Sequence, residues 1–232
     1  MSLKNLTFVT FTLLFIVTSQ AQKNYDSYNR LGLQAGFTLF DIETSDLTTK
    51  QTAGFMGGFT TRGSFYEGFD LIYGINFFSN NIEILAVSKG LENSIPIEEF
   101  LDYTINAVQI NFLGSYNIVR HHFSLEFGPV LNVNGKMKLN NEDRYERYIL
   151  DGDASGDASA SGPIRAGDVQ DISKVNFRVM GGATAGLENF RLWGQYQYGV
   201  TNMLKNLNDK GLGKTDFKGN SSTFIFGAVF FF

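Results

Sequence analysis

Few residues in this chain are equipped for chemistry. His121 and His122 are its two histidines, and it has no cysteine. Thiol catalysis, disulfides and Cys-ligated metals are therefore excluded. Neighbours on a strand point to opposite faces, so the histidine pair is a poor chelator. A general base would have to be a carboxylate without evident support, and no enzyme is expected. The nearest approach to a metal motif is Asp151-Gly152-Asp153-Ala154-Ser155-Gly156-Asp157. Asp151, Asp153, Ser155 and Asp157 set oxygen ligands at alternate positions with a glycine at the sixth, the first half of a calcium loop. The closing glutamate is missing, with Gly162 in its place, so a plain surface loop is the stronger expectation. Gly211-Leu212-Gly213-Lys214-Thr215 has the end of a phosphate-binding loop, but Asn208 stands at its first glycine and no helix pattern follows. No catalytic residue, metal site or cofactor is expected.

A different set of charges forms a pattern. Arg30, Arg62, Asp70, Glu126, Arg178 and Arg191 all fall on the polar face of segments that alternate apolar and polar with period 2. Leu31, Leu33, Ala35, Phe37 and Leu39 oppose Gly32, Gln34, Gly36 and Thr38. Phe69, Leu71, Tyr73, Ile75 and Phe77 oppose Asp70, Gly74 and Asn76. The same grammar recurs around residues 53–62, 108–112, 123–132, 175–184, 191–200 and 224–232, giving eight strands. Each charge would cost several kcal/mol inside a soluble sandwich core unless paired or hydrated. In a barrel that face is the lumen. Arg30, Arg62, Asp70, Glu126 and Arg191 are therefore expected to form an ion network there.

The segments run to about 11–16 residues, where soluble strands usually have about 5 or 6. Connections alternate in length as well. Tight turns fall at 63–68, 117–122 and 187–190, and long loops at 43–51, 79–101, 139–173 and 202–221. The fold expected is all-β: an eight-stranded antiparallel transmembrane β-barrel with short periplasmic turns and long extracellular loops. Within it, Pro129 lacks a ladder N–H, so a bulge or irregularity is expected at Gly128-Pro129. Ser94-Ile95-Pro96-Ile97-Glu98-Glu99-Phe100 has a cap-like serine, an early proline and acids, consistent with a short helix in the second long loop. Tyr25, Tyr28, Phe65, Tyr66, Phe69, Phe100 and Tyr103 are expected in the interfacial girdles.

Composition agrees with a barrel. Across 232 residues, aromatics reach 15% and charged residues 18%, with a net charge of -4, which offers nucleic acid no electrostatic attraction. The mean hydropathy is near zero, which excludes a chain of several helical spans of about 20 apolar residues. Residues 1–21 read as a secretory signal peptide: Lys4, an apolar centre from Leu6 to Val17, and small residues at Ser19 and Ala21. Cleavage is expected after Ala21, leaving 22–232 as the barrel domain.

Three stretches resemble the outer-membrane β-barrel family of the Bacteroidetes, the porin-family or PorT-like group. They are Tyr73-Gly74-Ile75-Asn76-Phe77-Phe78-Ser79, Phe127-Gly128-Pro129-Val130-Leu131 and the terminal run ending in Phe232. The resemblance covers the whole mature chain and rests on barrel pattern, with a departure at Asn111, where many members carry proline. It implies the outer membrane of a Gram-negative cell and a role beside secretion or gliding machinery. Phe224, Phe226, Phe230 and Phe232 look like the assembly signal read by the barrel-assembly machinery. Expected partners are outer-membrane lipid and lipopolysaccharide (with Lys205, Lys210, Lys214 and Lys218 facing phosphates), that machinery, and an envelope protein. The function expected is a non-enzymatic integral outer-membrane protein, structural or partner-binding through its loops. The alternative is a small passive pore for ions or small solutes.

Overall fold

A computed structural model describes residues 28–88, 96–150, 163–212 and 216–232. Its strands are β1 (Asn29–Glu43), β2 (Thr49–Tyr66), β3 (Phe69–Ser88), β4 (Ile97–Val119), β5 (Phe123–Leu139), β6 (Ile149–Leu150), β7 (Val175–Gly186), β8 (Phe190–Gly199) and β9 (Asn220–Phe231), with a one-turn helix α1 (Glu142–Tyr145) before β6. Every pairing is antiparallel. β9 returns to β1, from Gly32 opposite Phe231 to Glu43 opposite Asn220, and closes a ring of β1–β5 and β7–β9. β6 lies outside the ring, on the far end of β3. Closure leaves no open sheet edge in hydrocarbon, where unpaired backbone groups would cost several kcal/mol each.

Period-2 alternation puts the greasy positions outward. Phe37 is 77% exposed, Phe127 61% and Phe77 60%, a density of bare aromatics that water would not tolerate on a monomer. The height of this belt is read from β3 and β4. Outward pairs Tyr73–Phe112, Ile75–Ile110 and Phe77–Val108 are apolar, and the next pairs on that face, Ser79–Asn106, Asn81–Thr104 and Glu83–Asp102, are polar. The apolar run on β3, Phe69 to Phe77, fits the roughly 9–11 residues of a tilted membrane strand. Among the described residues no helix is long and apolar enough to cross a membrane.

Beyond the belt the structure departs from the sequence expectation. Of the expected loop 79–101, residues 79–88 and 97–101 are strand: β3 continues to Ser88 and β4 begins at Ile97. Pro96 to Phe100 form no helix either, and Ser94 and Ile95 lie outside the described residues. Long-range pairing of Ile97 with Ser88 and of Leu101 with Ile84 overrides the local capping signal. Nor is the inner face polar throughout. Above the belt Phe40, Ile42, Ile82, Ile84, Leu101 and Ile105 turn inward and meet Leu150, Val169, Leu204 and Phe217 from the long connections in one buried cluster. Tyr103, expected at a membrane rim, is fully buried there and donates to Ala166 O at 3.0 Å. The connections fold down as a cap because extended strands enclose a space that only apolar side chains can fill without stranding polar groups.

Pro129 faces outward. Pairing of β5 to β4 lapses between Val130–Asn111 and Phe127–Gly114 without a change of register, while Pro129 still sits opposite Val179 on β7. The true bulge on β5 is at Gly135-Lys136, where register shifts against β4.

Candidate functional site

The charged face of the strands converges inside the ring near the short turns. Arg62 leaves β2 and lies between two carboxylates. Its Nη1 donates to Asp70 Oδ2 at 3.1 Å, Ser115 Oγ at 3.1 Å and Ser124 Oγ at 3.3 Å, and its Nη2 pairs with Glu126. Thr184 Oγ1 donates to Glu126 Oε1 at 2.6 Å, and Tyr28 Oη to Asp70 Oδ2 at 2.6 Å. Arg62, Asp70 and Glu126 are each at most 5% exposed. One guanidinium thus ties β2 to β3, β4 and β5, and Thr184 of β7 and Tyr28 join through its two carboxylates. A charge so buried persists only because its partners and several hydroxyls surround it. Arg191 enters the same space from β8, 2% exposed, and among the described residues its Nε and Nη1 meet no hydrogen-bond partner.

Arg30 is not brought into this group. It stands at the rim, pairs with Glu188 in the 187–189 turn, donates to that residue's carbonyl at 3.0 Å, and lies over the Tyr28 ring. Its hydrogen bond and charge hold the Glu188 carboxyl below the usual carboxylate range. Arg178 lies higher, fully buried, donating to Thr223 Oγ1 at 3.1 Å and resting on the Phe40 ring. With its amide oxygen turned toward Arg178, Asn132 accepts from Nε at 2.6 Å.

Between these levels the lumen is filled. Ile72, Leu113, Val130 and Met180 form one apolar layer, and Met56, Phe78, Trp193 and Phe231 belong to another. Asn76, with Gln34 and Asn111, forms a hydrogen-bonded amide bridge. The cavity left among them is about 30 Å3, room for a water molecule or two. The apolar cap then closes the far end.

His121 and His122 sit in the 120–122 turn. His122 Nδ1 donates to Gly186 O at 2.9 Å, and the His121 ring lies 5.4 Å from that of Tyr28, its pKa lowered by partial burial and then by Arg120. No group of three metal-ligating side chains exists among the described residues. The calcium-loop positions Asp151, Asp153, Ser155 and Asp157 lie outside them, as do Lys214, Tyr25 and residues 1–21. At the other end of the molecule Lys218 pairs with Asp216 at 3.0 Å and Lys210 with Asp171 at 3.5 Å. Phe224, Phe226, Phe230 and Phe232 all project outward, and Phe232 N donates to Leu31 O at 2.9 Å, so the last residue joins the ring seam.

Tyr28, expected in an interfacial girdle, instead turns its hydroxyl onto Asp70, and Ser115, Ser124 and Thr184 were not expected in the ionic group. Their signal was parity: each shares the inward phase of its strand, with Ser124 and Glu126 two residues apart.

A family model described as "Outer membrane protein beta-barrel domain" matches residues 18–205. Among solved structures the chain is similar to Ail, the attachment invasion locus protein of Yersinia pestis, at 13% identity, covering 88% of this chain and 99% of that one, with a TM-score of 0.46. It is also similar to OprG from Pseudomonas aeruginosa, at 13% identity over 89% and 97% of the two chains and a TM-score of 0.45. Neisserial surface protein A follows at 11% identity, 87% and 97% coverage and a TM-score of 0.44. No curated protein matches the chain.

Proposed function

Because the chain belongs to the family of outer membrane protein β-barrel domains, an outer-membrane location is its starting point, and we propose that within that membrane it is a sealed, non-enzymatic scaffold. Its capped end holds a partner or braces the envelope. The observation that carries this reading is the filled lumen: an ionic group at the short-turn end, apolar layers above it, and a cap of buried aliphatic side chains. Eight strands enclose a bore only about wide enough for side chains, and these side chains occupy it.

Planar-bilayer recording of the purified mature chain tests the reading. A flat current across the voltage range is expected. Reproducible open-channel steps would favour the alternative, a small passive pore for ions or small solutes. Lipid-A mass shifts after expression would revive an enzyme.

The same proposal places the short turns in the periplasm and the cap outside the cell. It takes residues 1–21 as the signal peptide, which N-terminal sequencing of the membrane-extracted protein checks: Gln22 is the expected first residue. The Bacteroidetes, PorT-like affinity drawn from Tyr73 to Ser79 and the C-terminal run points to secretion or gliding machinery as the partner. Mild crosslinking in native outer membranes followed by mass spectrometry tests it, and recovery of the barrel-assembly machinery alone would count against it.

A further inference from the structure

The outer wall carries a groove that the sealed lumen does not explain. It runs across β2 to β5 at the upper edge of the apolar belt, encloses about 660 Å3, and is walled by Phe55, Phe77, Val108 and Val133. All four walls lie on the lipid-facing side: Phe77, Val108 and Val133 stand at one height, and Phe55 is opposite Ser79, one outward position higher. The groove exists because its floor lacks large side chains: Gly57, Ser79 and Gly135 stand where bulky residues fill the belt elsewhere.

Its upper border is polar. Asn106 lies opposite Ser79, and above it Thr104 Oγ1 donates to Asn81 Oδ1 at 3.0 Å. Two cations stand at this border. Lys138 is opposite Thr104 and exposed, and the β5 bulge turns Lys136 outward beside Gly135. Among the described residues neither has an ion-pair partner, whereas the nearby Glu83 is already held by Lys50 at 2.8 Å. Asp102 is exposed on the same face above Thr104 and limits how far up an anion would sit.

An apolar trough just inside the hydrocarbon with paired ammonium groups just outside it is complementary to a lipid whose head is anionic and whose chains are several. We infer that this face binds the phosphorylated, multiply acylated glycolipid that anchors lipopolysaccharide: an acyl chain lies between Phe77 and Val133, and a phosphate sits on Lys136 and Lys138. The groove opens at the capped end of the barrel, and the choice of lipid rests on the orientation proposed above, which turns that end to the outer leaflet, where this lipid and not phospholipid is the anionic species. This placement is independent of whether the lumen conducts.

The test is native mass spectrometry of the full mature chain in detergent, with bisphosphorylated lipid A, the same lipid dephosphorylated, and phosphatidylglycerol as probes. Bisphosphorylated lipid A is expected to bind at least about tenfold more tightly than either of the others. Each lysine at an anionic head group contributes roughly fivefold, so the double variant Lys136→Gln/Lys138→Gln should lose roughly twentyfold. Gly57→Leu should fill the trough and lose binding while folding normally, since a Cβ there meets nothing nearer than 3.7 Å. Ser79→Leu is a second filling variant. Equal retention of dephosphorylated lipid A or phosphatidylglycerol, or unchanged binding in the lysine and filling variants, would overturn the inference.

Discussion

Arg62 is the residue on which the short-turn end of the lumen depends. It faces Asp70 and Glu126, and no other described cation pairs with either. Replacing it with leucine leaves two buried carboxylates without their ion-pair partner and one buried charge in excess, which should destabilise the barrel by about 3–5 kcal/mol. Urea unfolding in lipid vesicles measures this. The double variant Arg62→Leu/Glu126→Gln should recover most of the loss, because it removes one cation and one carboxylate together and leaves Arg191 in the same space to balance Asp70. If the single and double variants unfold alike, the pairing energy is not what holds this layer. Arg30 and Glu188, nearer to water, behave differently. The folded-state pKa of Glu188 is lowered, so its contact contributes fully above the unfolded value of about 4.3 and is lost as pH falls through the lower folded value. Below about pH 4 the 187–189 turn should loosen, as an NMR titration of the turn amides would show. Glu188→Gln should abolish that dependence, and salt should weaken it, since the carboxylate is exposed.

At the level of the strands, alternation was legible because one geometry repeats around the ring: Leu31 to Leu39 and Phe69 to Phe77 show it without any knowledge of partners. The upper halves of the strands were not legible, and β3 shows why. Up to Phe77 the apolar residues, Ile72 apart, are odd-numbered and face lipid; from Phe78 to Ile84 they are even-numbered and face inward, Ile82 and Ile84 reaching the cap. The strand does not break, but its greasy side changes, and read along a single chain that change looks like a strand end. β1 does the same between Leu39 and Phe40. On β5 the Gly135-Lys136 bulge hides the change, because one extra residue restores the odd phase at Met137 and Leu139. The ionic group was legible in part: the inward phase singled out Arg62, Asp70, Glu126 and Arg191, but nothing local distinguishes a rim position such as Arg30 from an interior one. The belt boundary yields a paired prediction on one face of one strand. Tyr73→Lys should cost about 2–4 kcal/mol of barrel stability, as a cation facing the middle of the hydrocarbon. Asn81→Lys, on the same face above Ser79, should cost under about 1 kcal/mol. Equal costs in vesicle unfolding would mean that the hydrocarbon does not end at Ser79 and Asn106.

For the molecule as a whole, the lumen is filled at two levels of different chemistry, the two blocks of the sealed scaffold proposed above. The lower block is polar and held by a guanidinium; the upper is apolar and is built from strand extensions and the connections folded over them. Resistances in series add, so the tighter block sets the current and opening one leaves the other in control. Arg62→Ser/Glu126→Ser/Trp193→Ala, which removes the central ion pair of the lower block and one of the largest inward rings, should therefore leave the bilayer current flat. Leu150→Asp/Leu207→Asp should split the cap by placing carboxylates among residues that are at most 1% exposed. It too should leave the current flat while the lower block stands. The two sets combined should conduct, a strongly non-additive result of the kind expected when two sites share one readout. Protease accessibility at the cap separates a split cap from an unfolded barrel, because only unfolding would also expose the belt strands. Current from the cap variant alone would mean that the ionic layer is permeable as it stands, and the sealed reading would then rest on the cap alone.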